Sequence, residues 1–243
     1  MIFSRLRTLN RLPRIRLRHS LTPGVPLGRY ESGLEAVWAW RERAHLLVVE
    51  RDNYGAGENL VRLVARKHDG DRVQLDPKVW RDEEYHRLAD RPPWWLVSST
   101  SCAARVAQLN LDALLRAARI EQGEDVAPML VTIPELHDVL ELAGLPEDYD
   151  ESEVAKGLLN GILRLLQVGP AGRIHVLANV RQGYFYKVHM PHGLLKQFSG
   201  LLVLGRTSRT VTEKLSLPQV FSEPHGRLGD LEDDFWPLEV RLR

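Results

Sequence analysis

The sequence predicts an α/β domain built on a mainly parallel sheet with helices on both faces. Three observations lead there. Two short apolar runs, His45 to Val49 (HLLVV) and Met129 to Ile133 (MLVTI), read as strands covered on both sides. Such runs alternate with helical patterns, the order that gives a parallel sheet. The first run also leads through Tyr54-Gly55-Ala56-Gly57-Glu58-Asn59 into a helical pattern, and strand, glycine turn and helix have the frame of a phosphate-binding loop, although taken alone the glycines fit an ordinary turn better.

In chain order, Leu21 to Gly28 (LTPGVPLG) is a lead-in segment punctuated by proline and glycine, and Leu34 to Trp40 forms a short strand before HLLVV. The helix from Leu60 to Lys67 places Leu60, Leu63 and Val64 on one face. Val73 to Leu75 makes a strand ending at Asp76-Pro77-Lys78, Arg91-Pro92-Pro93 marks a loop, and Trp94 to Val97 is apolar. A helix over Ala103 to Ile120 has Val106, Leu109, Ala113, Leu114 and Ala117 at helical spacing, behind a Ser/Thr cluster suited to capping. After the MLVTI strand, Glu147 to Glu153 reads as an acidic surface loop. A helix over Val154 to Gln167 follows, with Leu158, Leu159, Ile162, Leu165 and Leu166 as its core stripe. Ile174 to Leu177 and Leu201 to Leu204 are the last strands, and neither an internal repeat nor a second domain is expected.

At 243 residues, 44% hydrophobic and 27% charged, the chain is long enough for one substantial core. No apolar run approaches the ~18 residues of a membrane span. Cys102 is the one cysteine, which excludes an internal disulfide and a cysteine metal cluster and makes the cytoplasm the default compartment. Charge is uneven. Residues 1–20 hold Arg5, Arg7, Arg11, Arg14, Arg16 and Arg18 and no acid, leaving 27 basic residues against 32 acidic ones elsewhere. Such an arm suits DNA phosphates, without sequence preference, or an anionic membrane surface. A solvated leader or linker, or a transit peptide, stays open. Residues 1–24 are therefore read as a basic arm, and 25–243 as the α/β domain.

A series of short blocks resembles the motor domain of FtsK/SpoIIIE-type DNA translocases, including their actinobacterial plasmid-transfer relatives. Val25-Pro26-Leu27-Gly28-Arg29 with Ser32-Gly33 resembles that family's PLGxxxxG segment, and His45-Leu46-Leu47 the strand before its P-loop. Leu75-Asp76-Pro77-Lys78, with Tyr85 beyond, is similar to its IDPK strand end. Met129 to Leu136 resembles the Walker B strand, Gly169 to Ala178 the GRAAGIHLVLA segment, and Ser208-Arg209-Thr210-Val211 the SRTIL element. The blocks span roughly residues 25–230. The resemblance implies a P-loop, RecA-like domain, hexameric rings, and ATP with Mg²⁺ driving movement along DNA.

Set against that pattern, the catalytic positions have changed. Glu58 stands where the family has the phosphate-binding Lys, and Asn59 where it has the Mg²⁺-binding hydroxyl. Two extra residues separate His45 from Gly55, which works against closure of the phosphate nest. Pro134 replaces the Walker B aspartate and has no side-chain oxygen for a metal. Glu135 keeps the place of the glutamate that positions water. Val180 takes the place of the sensing glutamine, while Arg181 persists, and Gly169-Pro170 lacks the family's arginine although Arg173 lies three residues on. Phosphoryl transfer depends on positioning and charge neutralisation, and one such loss often costs roughly a hundredfold or more. The expectation is a pseudo-ATPase. Gly55, Gly57, Glu58 and Asn59 would form a degenerate nucleotide site, Glu135 would be a vestigial catalytic residue, and the six arm arginines would contact DNA.

No cofactor is expected, save ATP with Mg²⁺ if residual binding survives. Partners would be DNA, an active FtsK-like subunit or further copies in a ring, or a membrane complex reached through residues 1–20. Two alternatives stay open: a weakly active DNA translocase, and a non-enzymatic structural or binding protein anchored by the arm. No metal site is expected, because proline interrupts the one close histidine pair, His189 and His192. Ser98 to Cys102 is read as helix capping and not as a nucleophile. Trp94-Trp95 and Tyr184-Phe185-Tyr186 are read as core plugs in preference to stacking surfaces for bases.

Overall fold

Six parallel strands and one antiparallel edge strand make the main sheet of the computed structural model, which describes residues 24–29, 35–40, 43–50, 55–77, 91–146, 150–184, 192–204 and 240–242. In chain order the elements are β1 (Gly24–Arg29), β2 (Glu35–Ala39), β3 (His45–Glu50), α1 (Ala56–Lys67), β4 (Asp71–Leu75), β5 (Trp95–Leu96), α2 (Ser99–Glu121), β6 (Met129–Ile133), α3 (Leu136–Ala143), α4 (Asp150–Val168), a 3₁₀ turn (Gly169–Gly172), β7 (Ile174–Arg181), α5 (His192–Gln197), β8 (Gly200–Leu204) and β9 (Val240–Leu242). The sheet order is β5-β4-β6-β7-β3-β8-β9, with β9 antiparallel to β8. β7 therefore lies between β3 and β6, pairing His45 with Val176 on one side and Met129 with Ile174 on the other.

The parallel sheet buries both faces, as the continuous apolar runs require. On one face Leu47, Val49, Val131, Ile133, Val176 and Val180 pack against α2, α3 and α4. On the other, Leu46, Val48, Leu130 and Leu177 pack against Leu60, Val61 and Val64 of α1 and against Val25, Leu27, Trp38 and Trp40. Val25, Leu27 and Trp38 belong to the separate antiparallel β1–β2 pair, and Trp40 directly follows β2. Trp40 stacks on His175 with ring centroids 4.6 Å apart. His45 is buried at the start of β3: its Nε2–H donates to the Leu166 carbonyl at 2.9 Å and its Nδ1 accepts from the Val176 N–H at 3.0 Å. Burial pushes both His45 and His175 down to about 4.

Several sequence expectations change. The proline-punctuated lead-in forms β1 from Gly24, because Val25 and Leu27 bury in one cluster with Trp38 of β2 and Trp40 just beyond it. α1 starts at Ala56, four residues earlier than expected, and Val61 instead of Leu63 completes its buried face. α2 starts at Ser99, capped by a Ser98–Ser101 box, and Leu114 is exposed while Cys102 and Asn110 are buried. α4 already begins at Asp150, so the acid-rich stretch contributes its first turn. Leu136, Val139, Leu140 and Leu142 bury one side of α3, a helix not expected from the sequence. The arm residues Arg5, Arg7, Arg11, Arg14, Arg16 and Arg18, together with Lys78, Tyr85, His189, Phe185 and Ser208 to Val211, lie outside the described residues.

Candidate functional site

Ligands of open α/β sheets bind beyond the carboxyl ends of the parallel strands. Here the ends of β3, β6 and β7 bring together Glu50, Glu135, Asn179 and Arg181, and the first turn of α1 faces them. Successive strand residues alternate between faces, so Val48 and Glu50 share the α1 face, as do Leu177, Asn179 and Arg181. Val180, the residue in the sensing-glutamine position, points into the opposite core.

Gly55 caps α1 in the left-handed region, at φ 62°, a conformation that glycine adopts without strain. Its carbonyl accepts from the Asn59 N–H at 2.9 Å. The next N–H groups of a helix start are the natural cradle for a phosphate. One of them is already engaged: the Gly57 N–H donates to Glu50 Oε2 at 2.7 Å. Glu50 is 1% exposed, and its second oxygen accepts from Asn179 Nδ2 at 2.9 Å. The same Asn179 amide donates to the Pro134 carbonyl at 3.1 Å. Gly57 is required by this packing, since a Cβ there would fall 2.1 Å from Asn179 Oδ1. The protein thus places its own carboxylate on the helix N-terminus.

The carboxylates around this point converge on one cation. Arg181 donates from Nη2 to Glu135 Oε1 at 2.7 Å and lies 3.8 Å from Glu58 and 4.0 Å from Glu50. Glu58 turns its other oxygen to Arg62 at 2.9 Å, and Arg62 also reaches the buried Asp76 at 2.8 Å. The charges of Asp76 and Glu58 raise the Arg62 guanidinium above its usual range, outweighing the opposing effect of burial, which is the largest single influence. Glu135 sits at the N-terminus of α3, 3% exposed and 3.4 Å from the buried His137 ring. Asn59 is exposed.

Of the residues expected from sequence, Gly57, Glu58 and Glu135 meet here through Glu50 and Arg181, while Gly55 and Asn59 lie beside them in the first turn of α1. Sequence reasoning missed Glu50 and Asn179. The available signal for Glu50 was an acid ending an otherwise apolar run, which reads equally well as a strand leaving the core. Among the described residues, the donor set does not fit a magnesium triphosphate. The Gly57 N–H is taken by a carboxylate, Glu58 adds a second negative charge at the helix start, and Pro134 offers no side-chain ligand.

The fold is shared with solved P-loop ATPase domains. The pCW3 conjugation coupling protein TcpA, in its monomer form with ATPγS, superposes with a TM-score of 0.60 at 16% identity, covering 82% of this chain and 61% of that one. ATPases 2 and 3 of EssC from Geobacillus thermodenitrificans match with a TM-score of 0.59 at 16% identity, over 85% of this chain and 38% of that one. ATPases 2 and 3 of Thermomonospora curvata EccC, in complex with a signal sequence peptide, match with a TM-score of 0.53 at 14% identity, over 88% and 37%. This chain therefore spans less than two thirds of each. No protein-family model matches the sequence, and no curated protein does. No helix among the described residues is long and apolar enough to cross a membrane.

Proposed function

We propose that this chain is a non-hydrolysing member of the FtsK/SpoIIIE-type translocase family, a pseudo-ATPase that works as an accessory or regulatory subunit in plasmid transfer or DNA segregation. The observation that carries the reading is the Glu50 carboxylate on the Gly57 N–H, where a motor would hold phosphate. For a nucleotide to enter, Glu50 would have to give up two buried hydrogen bonds, and its charge would then face the incoming phosphates. Glu58, in the position of the family's Lys, adds to that repulsion. Glu135 is tied to Arg181 at 2.7 Å and has no organised substrate to act on.

The shared fold with TcpA supports the family reading, and TcpA was solved with ATPγS, so a scaffold of this shape accommodates a nucleotide when its residues permit. In this chain the Glu50 carboxylate holds the Gly57 N–H at that helix start. Contact with DNA would come through the Arg5–Arg18 arm and would weaken steeply with salt.

Calorimetric titration of MgATP into the full chain tests the proposal, beside a Glu50→Ala/Glu58→Lys/Asn59→Ser variant. The expected result is no heat with the parent and saturable binding by the variant. Micromolar binding by the parent, or DNA-stimulated hydrolysis that disappears on Glu135→Gln, would overturn it.

A further inference from the structure

A second concave feature lies at one edge of the main sheet, where α1 passes over β4 and β5. It is a cavity of roughly 310 Å³ lined chiefly by Arg62, Arg66, Gln74, Arg91, Trp94 and Trp95. That volume is at the low end of small-molecule sites. Its composition departs from the expected core plug: both tryptophans are half-buried, and three arginines share the cavity with them.

The arginines have different tasks. Arg62 is held by Glu58 and Asp76 and lies over the Trp95 ring, 5.4 Å from its centroid. Arg72 lies over Trp94 at 4.7 Å. Trp95 is further fixed by its Nε1–H, which donates to Asp76 at 3.0 Å. Both indoles are therefore pre-oriented, which lowers the entropy that a stacking ligand must remove. Arg66 lies one helical turn beyond Arg62 on the same side of α1, exposed. Gln74, 2% exposed, brings an amide to the cavity wall.

Flat aromatic walls favour a planar π-system, and guanidinium groups favour phosphate. We propose that this cavity binds a base-plus-phosphate unit, either a free nucleotide or one unit of a single-stranded nucleic acid. Arg66 takes the phosphate, and Trp94 and Trp95 take the base. The inference does not rest on the function proposed above. Among the described residues Arg62 joins the two regions, through Glu58.

Calorimetric titration of AMP, adenosine and inorganic phosphate into the full chain tests it, followed by competition of AMP with a (dA)12 oligonucleotide. AMP is expected to bind at one site, with adenosine and phosphate each at least about tenfold weaker. Arg66→Glu and Trp94→Ala each weaken AMP at least about tenfold, whereas Arg164→Glu, the same charge change on an exposed position of α4, leaves it unchanged. Displacement of AMP by (dA)12 in an Arg66-dependent manner assigns the site to a strand, and its absence assigns it to free nucleotide. Because Arg66 is exposed, its variant keeps the fold even if Trp94→Ala does not. No AMP binding, binding indifferent to both variants, or phosphate binding as tightly as AMP would overturn the assignment. AMP lodged at Gly57 would respond to Glu50→Ala and not to Arg66→Glu, so the two proposals fail separately.

Discussion

Glu50→Gln isolates the charge of the internal plug while keeping its shape. The carboxylate accepts from two donors on two oxygens, Gly57 N–H at 2.7 Å and Asn179 Nδ2 at 2.9 Å, and is 1% exposed. An amide has a single acceptor oxygen. Whichever way it lies, its NH₂ meets one of those donors. The lost charge-assisted hydrogen bond is worth about 1.5–3 kcal/mol, and the stranded buried donor costs about 1–3 kcal/mol. Relief from burying a charge offsets part of this, so the net loss is about 3 kcal/mol. For a chain of this length that lowers Tm by about 10 °C. Urea denaturation followed by circular dichroism measures the loss, with an unchanged slope showing that the unfolded state is unaffected. A loss below about 1 kcal/mol would refute the assignment of Glu50 as a buried acceptor of both donors. Glu50→Ala adds a second reading: it vacates the helix N-terminus, so millimolar pyrophosphate should stabilise that variant and leave the parent unmoved.

Four further outcomes are expected. Burial holds His45 and His175 near 4, against about 6.5 in an unfolded chain, so below pH 6.5 the unfolded state takes up protons that the folded state refuses. The stability they permit is complete above pH 6.5 and declines as pH falls toward 4. At pH 5 each costs about 2 kcal/mol, so the urea midpoint should drop clearly between pH 7 and pH 5, and His175→Gln should flatten the slope. Gly57→Ala drives a methyl to 2.1 Å from Asn179 Oδ1 and 3.1 Å from Val48, so Asn179 must leave Glu50 and Pro134 at a cost of about 3 kcal/mol. A double-mutant cycle with Asn179→Ala should show coupling of at least about 1 kcal/mol, and additivity would sink that contact. Arg181→Met leaves Glu135 and Glu50 buried without their shared cation, costing about 2–3 kcal/mol after allowance for the one-third exposure of Arg181. Glu58→Gln, at a half-exposed pair, should cost under about 1 kcal/mol by the same assay.

The parallel core was readable because burial on both faces writes itself into a strand as an unbroken apolar run. β3, β6 and β8 were found that way, and β7 in its first half. The chain stays hidden where one polar residue interrupts that signal. Asn179 and Arg181 belong to β7, but they read as the strand's end because their partners, Glu50 and Glu135, arrive from more than forty residues away. α3 was concealed by the strand before it: Leu136, Val139, Leu140 and Leu142 have helical spacing, yet only eight residues carry it. β1 was masked by its own prolines and glycines, whose turn-forming preference is overridden when Val25 and Leu27 reach Trp38 of β2 and the following Trp40. The reverse happened at Leu114. Its spacing fits the buried stripe of α2, but nothing in a sequence says how wide a stripe the neighbouring helices will cover. The succession of β3, a glycine at the helix start and α1 was legible from the apolar run, the glycines and the helical pattern together. What occupies that helix start was not, because Glu50 fills it only when β3, β7 and α1 are assembled.

The β1–β2 ribbon shares no backbone hydrogen bonds with the main sheet among the described residues and is attached through Val25, Leu27, Trp38 and Trp40. A unit joined by side chains alone can lift away without breaking a ladder, so its amide hydrogens should exchange with solvent through a sub-global opening well before those of β3 or β7. Since Trp40 lies flat on His175, the opening would uncover the imidazole of a buried strand. Acid would then catch the ribbon in its detached form, making it the first part of this fold to separate from the whole.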